Sequence, residues 1–384
     1  MIYFDNSATT KMSEGALARL NEVALYHFGN PSSLHKVGLD AEKLLSASRE
    51  VIAKSLGRQR MSRGEIIFTS GGTESNNIAI LGSAFAKKRR GNEKILATMG
   101  EHASVEAPLN YLESLGYTVL RVPTKGGALD FDFIRQNSSG VILATFMHVN
   151  NETGALYDVK TAFEIVKENS PEAILHTDCV QSYLKVKFTK KSLGADLISI
   201  SGHKVNGPKG IGALYISPEI IKQKKLSPLF LGGGQEAGLR SGTENLYSAC
   251  AFAKAVEEHL ASFSQNEEMA TLREYIASGL EKIEGARVNR PLMCAPHIVN
   301  VTVKGIRSET LLHFLSSKDI YVSSGSACAS NAQKKKSIAL LGFGLSDDDI
   351  DSSIRISLCK DNTKDEADAL FSAIKEATEK LVRR

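Results

Sequence analysis

Cysteine is scarce in this sequence, and its few cysteines are not arranged as a disulfide framework or a metal site. There are five in 384 residues, an odd number, widely spaced and without a C-x-x-C pair. This argues against a disulfide-stapled fold and a structural zinc site, and it fits a reducing compartment. The cysteines are Cys179, Cys250, Cys294, Cys328 and Cys359.

Long apolar runs and a strong charge of either sign are also missing. No uncharged segment approaches the length that spans a bilayer, and the first residues show no secretory signal, so we expect a cytoplasmic protein without membrane association. The formal net charge is +4. The main basic cluster, residues 87–90, is typical of a solvated helix end, which argues against direct nucleic-acid binding. With nine prolines and 42% hydrophobic residues, the composition is that of a folded globular protein.

What is present is an alternation of strand and helix signals. Between Glu14 and Gly57 two helical patterns flank a turn, and Gly57 is expected to end the second one in the left-handed conformation. The apolar runs that follow are separated by helical or turn-rich segments, which predicts an α/β fold with a mostly parallel sheet covered by helices. The predicted strands are Glu65–Phe68, Lys94–Thr98, Val141–Thr145, Ala173–His176 and Leu197–Ile200.

The C-terminal third indicates a second, smaller α/β unit. One long helical pattern runs from about Asn245 toward residue 285. Because the chain is longer than one core usually grows, we expect a large domain at 15–260 and a small domain formed by 1–14 and 261–384. The elements predicted for the small domain are strand His297–Val303, helix Ser308–Ser317, strand Ile320–Val322, strand Ile354–Ser357 and a final helix.

Open parallel sheets bind ligands beyond the carboxyl ends of their strands, and the first candidate there is a glycine loop. The run Thr69-Ser70-Gly71-Gly72-Thr73-Glu74 follows a strand and opens a helical pattern. Its glycines let an anion approach the backbone N–H groups, and Thr73 adds a hydroxyl donor. The alternative is a turn that merely caps the helix.

Two further candidates end neighbouring strands. Asp178 follows one strand, with Gln181 a helical turn later, although a carboxylate there also serves as a helix cap. Lys204 follows another, in a loop whose small residues and glycines favour a pocket over the usual exposed lysine. Together the three groups are what pyridoxal phosphate (PLP) needs: an anion cradle, a carboxylate for the ring nitrogen and a lysine for the aldehyde. The sequence does not match a nucleotide-binding motif. Gly202-xxxx-Gly207 is followed by Pro-Lys and is therefore not a P-loop, and the GGG run lacks the G-x-G-x-x-G spacing of a dinucleotide-binding loop.

At this point the sequence resembles the NifS/IscS cysteine desulfurases of the class V aminotransferase group. The matching stretches occur in order from end to end of the chain, and the resemblance implies a fold-type I PLP enzyme with a seven-stranded, mostly parallel sheet. They are YFDNSATT (3–10), GNPSSLH (29–35), TSGGTESNN (69–77), EHASV (101–105), HVNNETG (148–154), HTDCVQS (176–182), SGHKVNGPKGIG (201–212), RSGTEN (240–245) and SSGSACAS (323–330).

The resemblance also implies residue roles. Lys204 carries PLP as a Schiff base and shuttles protons, and His102 stacks on the ring. Asn151 and Arg355 hold the substrate, with Arg355 on its carboxylate. Thr243 reaches the phosphate of a partner subunit, which implies a homodimer with shared sites. The remaining cofactor residues implied are Asp178 and Gln181 at the ring, and Gly72, Thr73, Ser201 and His203 at the phosphate.

Cys328 is the sulfur-accepting residue in the implied reaction. As a thiolate it takes sulfur from L-cysteine, leaving L-alanine and an enzyme persulfide. Free cysteines are usually packing residues, but Cys328 lies among small polar residues in a segment, about 323–336, that suits a mobile loop. No permanent metal site is indicated, and Cys328 is at most a transient ligand of an iron–sulfur cluster. Cys179 and Cys359 are interpreted as packing residues.

Several alternatives stay open at this stage. A selenocysteine lyase, a small-amino-acid aminotransferase or a non-catalytic PLP-fold protein share parts of the pattern, but an aminotransferase needs no cysteine at position 328. Cys359-Lys360 stand where many relatives have Gly-Arg. The sulfur acceptor is an iron–sulfur scaffold or a thiolation enzyme of tRNA or cofactor synthesis.

Overall fold

A computed structural model describes residues 1–59, 61–86, 91, 93–324 and 336–381. The strands are β1 Ile2–Tyr3, β2 Ile66–Thr69, β3 Lys94–Thr98, β4 Thr118–Val122, β5 Val141–Thr145, β6 Ile174–Asp178, β7 Leu197–Ser201, β8 Gly212–Ile216, β9 Ala286–Val288, β10 Ile298–Val303, β11 Ile320–Tyr321, β12 Ser323–Ser324 and β13 Ser353–Ser357. The α-helices are α1 Glu14–Tyr26, α2 Lys36–Ser55, α3 Gly72–Phe85, α4 Ala103–Ser114, α5 Phe131–Asn137, α6 Val159–Asn169, α7 Lys190–Leu193, α8 Pro218–Lys222, α9 Leu246–Ala261, α10 Gln265–Leu280, α11 Ser308–Ser316, α12 Ile338–Phe343, α13 Asp347–Asp351 and α14 Lys364–Leu381.

The larger sheet has seven strands in the order β2-β8-β7-β6-β5-β3-β4. Within it β8 pairs antiparallel with both neighbours, while the remaining pairs are parallel. Its strands are apolar on both faces because helices cover both sides. In β2, for example, Ile66 and Phe68 enter one core and Ile67 enters the other. The mostly parallel α/β fold expected from the sequence is confirmed.

A second apolar core lies in the C-terminal part of the chain. It forms around the antiparallel sheet β12-β13-β10-β9 and helices α10, α11 and α14. Phe4 of the N-terminal segment belongs to this core, and β1 pairs with β11. The N-terminal strand and the residues just after it therefore pair with residues more than three hundred positions later, as the bridge between Asp5 and Ser357 shows.

The long helical pattern after Asn245 proves to be two helices. Helix α9 packs against α1 and α2, whereas α10 packs against β9, β10 and α14. The break lies at residues 262–264, where the Ser262 hydroxyl donates to the backbone oxygen of Glu258 at 3.0 Å. Serine competes in this way for backbone groups and disfavours a continuous helix.

Other boundaries shift by a residue or two, and some strands were not predicted. Strand β6 runs on through Thr177 to Asp178, so Asp178 is its last residue rather than the start of a following turn. Strands β4 and β8 were missed. The left-handed end of α2 is confirmed, since Gly57 has φ of 81°. No helix within the described residues is long and apolar enough to cross a membrane.

Candidate active site

The candidate residues meet at the carboxyl ends of β6 and β7, next to the loop between β2 and α3. This is where the topology of an open parallel sheet leaves a crevice. The N-terminal segment crosses the same place: Thr10 N–H donates to the His203 carbonyl at 2.9 Å. The predicted residues at these places are Asp178 and Gln181, Ser201, His203 and Lys204, and Gly72 and Thr73.

The glycine loop forms a small-residue cradle at the N-terminus of α3. A Cβ on Gly72 would lie 2.7 Å from Val180 Cγ2 and 3.7 Å from Ser201 Cβ, so glycine is needed for this close approach. Ser201 is 2% exposed, and its hydroxyl has no hydrogen-bond partner among the described residues. Thr73, the second residue of the helix, is exposed. The helix dipole and the free hydroxyl together favour an anion at this point.

Asp178 is held in place from two sides. Its Oδ1 accepts from Val180 N–H at 2.8 Å, and its Oδ2 accepts from Asn76 Nδ2 at 2.8 Å. The residue is 7% exposed. These two donors fix the orientation of the carboxylate, so that it can pair with a ring nitrogen.

His102 is the N-cap of α4. Its Nδ1 accepts from the backbone N–H of Ser104 at 3.1 Å and lies 2.8 Å from the Ser104 hydroxyl. Asn76 Nδ2 donates to that hydroxyl as well as to Asp178. Burial lowers the pKa of His102 below its ordinary value. The hydrogen bonds assign the neutral tautomer with its proton on Nε2.

Lys204 lies at the end of a short 3₁₀ turn, Gly202–Lys204, directly after β7. Its Nζ donates to the backbone oxygens of Ser7 and Ala8, the latter at 2.8 Å. Gln181 Nε2 donates to the same Ser7 oxygen at 2.9 Å. The N-terminal segment thus supplies the acceptors that hold the lysine and the glutamine side by side.

His203 contacts the N-terminal segment. Its Nδ1 is 3.2 Å from Thr9 Oγ1. Burial and the neighbouring Lys204 lower the pKa of His203 to about 4, so the ring is neutral at physiological pH.

Arg355, on β13, belongs to the second sheet but reaches the same crevice. Its Nη1 donates to the backbone oxygen of Asn151 at 2.9 Å and its Nη2 to Asp5 Oδ1 at 2.8 Å. Its Nε has no partner among the described residues, and the residue is 6% exposed. Arg355 and Asn151 are therefore brought together, through the backbone of Asn151 rather than its side chain.

Two predicted residues are not joined to this group. Thr243 is exposed between a 3₁₀ turn and α9, and no hydrogen bond in the described part of the chain links it to the other candidates. Cys328 lies outside the described residues. Among the described cysteines, Cys179 is buried, and burial raises the pKa of its thiol to about 12, which makes it unreactive.

The donor set fits PLP. Besides Ser201 Oγ, the buried Gln181 Oε1 has no hydrogen-bond partner among the described residues. Buried polar atoms are normally satisfied, so this crevice is built for a polar ligand. An anion cradle, a neutral imidazole, a carboxylate and an amine on four different elements match the phosphate, ring, ring nitrogen and aldehyde of the cofactor.

Comparison with known proteins agrees with this geometry. The family model "Aminotransferase class-V" matches residues 2–370. The chain belongs to this family of PLP-dependent enzymes. Within it the chain belongs to the NifS/IscS group, so the resemblance identified from the motifs is confirmed.

Two curated relatives and two solved structures illustrate the similarity. A NifS/IcsS protein homolog of Lactobacillus delbrueckii subsp. bulgaricus is 41% identical, over 98% of this chain and 97% of its own length. Cysteine desulfurase IscS of Methanosarcina thermophila is 37% identical, over 99% and 92%. A NifS-like protein structure superimposes with a TM-score of 0.90 at 34% identity, covering 98% and 99%. The apo cysteine desulfurase of Thermococcus onnurineus NA1 gives a TM-score of 0.87 at 25% identity, covering 98% and 94%.

Several residues of the site were not predicted from the sequence. Asn76 and Asp5 stand in motifs that were recognised, but their partners Asp178 and Arg355 are far away in the chain. Glu101, beside His102, is buried and accepts from Met147 N–H at 2.8 Å. Burial raises the pKa of Glu101 to about 8. Lys185, seven residues after Asp178, is also buried.

Proposed function

We propose that this protein is a cysteine desulfurase that binds PLP on Lys204 and transfers the sulfur of L-cysteine to Cys328. The observation that carries the proposal is the convergence of Lys204, Asp178 and His102 on a crevice with the unpaired Ser201 hydroxyl. The similarity to IscS enzymes along nearly the whole chain supports the substrate. When bound, PLP withdraws electrons from the substrate Cα, which allows the C–H and then the C–S bond to break.

The residues that would hold the cofactor have separable tasks. Asp178, held in place by Asn76 and Val180, would pair with the ring nitrogen. His102 lies against the ring, and the Gln181 amide meets the phenolic oxygen. The phosphate is bound by Gly72, Thr73, Ser201 and His203, with Thr243 contributed by a second subunit. Of the phosphate residues, Ser201 has the strongest support, because its buried hydroxyl otherwise lacks a partner.

Lys204 would move protons as well as bind the cofactor. The Ser7 and Ala8 carbonyls hold its Nζ at the edge of the crevice. Released as an amine, Nζ accepts the substrate Cα proton as a general base. Because Nζ is held in place, it stays within reach of the substrate Cα, which must later regain a proton.

Substrate orientation falls to Arg355 and Asn151. Arg355 is buried and fixed by Asp5 and the Asn151 backbone, which leaves its remaining N–H groups to bind the α-carboxylate. A fixed guanidinium lets the carboxylate bind in one orientation, and this places the Cα–H bond for Lys204.

Cys328 would carry out the sulfur transfer. Its thiolate attacks the substrate sulfur, so an S–S bond forms as the Cβ–S bond breaks. The electron pair stays with the substrate, whose Cβ takes up a proton. The Cα regains the proton that Lys204 removed, and L-alanine leaves. The persulfide on Cys328 then passes its sulfur to an acceptor protein for iron–sulfur cluster assembly or for tRNA or cofactor thiolation.

We propose a two-domain organisation and a cytoplasmic homodimer for this enzyme. The separate apolar core of the C-terminal part, which includes Phe4, supports a small domain of residues 1–14 and 261–384 beside a large domain at 15–260. The small domain would carry the cysteine loop, about 323–336. The exposed position of Thr243 suits a residue that serves the partner's site.

The proposal is tested by locating the cofactor and the product. Borohydride reduction of the PLP-loaded protein, followed by peptide mass spectrometry, should place the cofactor on Lys204. L-cysteine should yield L-alanine with the wild type and with K209A, an exposed lysine of the same loop, but not with K204A. A protein that takes up no PLP, or carries it on another lysine, would refute the assignment; L-selenocysteine tested in parallel distinguishes a selenocysteine lyase.

A further inference from the structure

The segment that carries Thr243 is closed on itself before it reaches that residue. This segment, the Thr243 loop, runs from Phe230 to Gly242 and is rich in glycine. Phe230 and Arg240 pair through an isolated bridge, which brings the two ends of the loop together. Inside the loop, Gln235 Oε1 accepts from Gly242 N–H at 3.0 Å. The residue directly before Thr243 is therefore fixed by the middle of the loop.

The side chain of Glu236, next to Gln235, anchors the Thr243 loop in the interior of the chain. Glu236 is 6% exposed. Its Oε1 accepts from Arg49 Nη2 at 2.6 Å, and its Oε2 accepts from Arg49 Nη1 and from Phe68 N–H, the latter at 2.9 Å. Because β2 is an edge strand, the Glu236 carboxylate takes the place of a neighbouring strand at Phe68. The loop is thus joined to α2 and β2 by three hydrogen bonds.

Arg49 and Arg240 complete the attachment of the Thr243 loop. The guanidinium carbon of Arg49 lies 5.0 Å from the centre of the Phe68 ring, a cation–π contact that holds the arginine in place. Arg240 Nε donates to Glu74 Oε1, on α3, at 2.9 Å. The loop is therefore attached to α2, β2 and α3, and its position relative to the seven-stranded sheet is fixed.

The anchor at Glu236 is a costly arrangement, which argues against a purely stabilising role. Glu236 and Ala237 have φ of 49° and 58°, left-handed conformations that such residues rarely adopt. Strain of this kind persists only where the surrounding contacts fix the backbone, and it clusters at functional sites. A buried ion pair such as that of Arg49 and Glu236 loses much of its attraction to desolvation and seldom adds net stability over an apolar contact. The pair and the strain together impose one conformation on the Thr243 loop.

Resting on the proposed homodimer, in which Thr243 serves the partner's site, we propose that Glu236 is a positioning residue. Its carboxylate holds the Thr243 loop so that the Thr243 hydroxyl meets the phosphate of the cofactor bound by the second copy. Because Thr243 is exposed, the loop before it determines where its hydroxyl lies. One subunit therefore controls, through Arg49 and Glu236, how tightly the other subunit binds PLP.

The test uses mixed dimers that keep a single lysine for the cofactor. Two differently tagged copies are co-expressed, one of them with K204A, and the mixed dimer is purified through both tags. PLP bound at the remaining Lys204 is fixed with borohydride and quantified, which gives a dissociation constant for one site. With E236Q on the K204A copy, the site of the other copy receives Thr243 from the variant, and its PLP affinity should fall about tenfold. With E236Q on the copy that keeps Lys204, the affinity should match that of the mixed dimer without E236Q.

Two further variants of the K204A copy separate positioning from stability. T243A should weaken PLP binding in the other copy as much as E236Q does, and the two together should cost no more than either alone, because both remove the same contact. E65Q breaks another buried ion pair, in which Arg58 Nε donates to Glu65 Oε2 at 2.8 Å, and neither residue belongs to the Thr243 loop. It should lower the urea concentration of unfolding without changing the PLP affinity of the other copy. Should E236Q not fold, R49M/E236Q removes both charges of the pair and serves in its place, with the same expected loss of affinity.

The outcomes distinguish this inference from the proposed function. A wild-type protein that binds no PLP on Lys204 refutes the proposed function itself. If T243A on the K204A copy leaves the PLP affinity of the other copy unchanged, the shared site is wrong and the role of Glu236 is wrong with it. If T243A weakens binding there but neither E236Q nor R49M/E236Q does, or if E236Q weakens binding equally from either copy, the role of Glu236 is wrong while the proposed function stands.

Discussion

The carboxylate of Asp178 is held in place by Asn76, whose side-chain amide makes two hydrogen bonds. Asn76 Nδ2 donates to Asp178 Oδ2 and to Ser104 Oγ, each at 2.8 Å, and Ser104 in turn meets His102. A hydrogen bond to a charged group contributes about 1.5–3 kcal/mol when buried. The Asn76 amide thus fixes Asp178 directly and His102 through Ser104, and these are the proposed partners of the cofactor ring. Asn76 itself lies on α3, whose N-terminus forms the glycine cradle.

The buried carboxyl group of Glu101 should make the stability of the protein depend on pH. The folded state raises its pKa from 4.5 to about 8, mainly through burial. The folded protein therefore binds more protons than the unfolded chain between these pH values, and stability falls as pH rises through the window. E101Q removes this loss, so it should be more stable than the wild type by about 2 kcal/mol at pH 8. Urea unfolding at pH 5 and pH 8 measures the difference.

The pH dependence is the decisive part of that measurement. The gain in E101Q should shrink as pH falls toward 4.5, where the wild-type carboxyl is protonated in both states. E113Q changes an exposed glutamate on α4 and should show no comparable pH trend. An E101Q protein that is less stable than the wild type at pH 8 would show that the buried carboxylate is ionised and paired.

Residue identities near strand ends were predictable, but their partners were not. Lys204 and Asp178 could be selected because they follow apolar strands and have the chemistry that PLP requires. The contacts of Asp5 with Arg355 and of Asn76 with Asp178 join positions 350 and 102 residues apart. Lys185 carried no signal, since the left-handed turn that buries it contains no glycine.

Among the elements of the site, the cradle at the N-terminus of α3 is packed so closely that a glycine is needed. G72A places a methyl group 2.7 Å from Val180 Cγ2, without an unusual backbone conformation at position 72. The loop must then shift relative to Ser201, which should weaken PLP binding at least about tenfold. Equilibrium titration of the apoprotein with PLP measures this.

A second substitution tests the cause. V180A removes the clashing methyl group, so G72A/V180A should recover most of the affinity lost by G72A. Val180 meets Asp178 through its backbone N–H, and alanine preserves that bond. An affinity of the double variant no better than that of G72A would mean that the close packing against Val180 is not what requires glycine.

Helices and strands were predicted accurately where their apolar pattern in the sequence was clear. Buried strands with continuous apolar runs, such as β3 and β5, were predicted to the residue. Strand β4 contains Thr118 and Arg121 and lies at the sheet edge, so its apolar signal is weak. Strand β8 begins at Gly212, the last residue of the glycine-rich motif, and its short apolar run was not recognised as a strand. The division between α9 and α10 depends on tertiary packing, which a helical period does not reveal.

For the whole molecule, the exposed apolar surface supports association of two copies. The turn between α1 and α2 exposes Phe28 by 77% and Leu34 by 91%, and Leu231 is 84% exposed. Both helices pack against α9, which begins just after Thr243. Because Phe28 and Leu34 are exposed in the same turn, we propose that this turn belongs to the contact surface.

The corresponding prediction is a dimer that falls apart when this surface becomes charged. Sedimentation at micromolar concentration should give twice the mass of one chain, and F28E/L34E should give a monomer with weaker PLP binding, since Thr243 of the second copy is lost. L260E changes an exposed leucine on α9 and is the matched control. A wild-type monomer with full PLP affinity would contradict the shared site.

In the proposed reaction, sulfur passes from L-cysteine to Cys328. Protein exchanged into cysteine-free buffer, given one equivalent of L-cysteine and then alkylated can be digested and analysed by peptide mass spectrometry. We predict one additional sulfur atom on the peptide that contains Cys328, none on those with Cys179 or Cys359, and none anywhere in K204A. Equal formation of L-alanine by C328A, or the extra sulfur on another cysteine, would contradict the account.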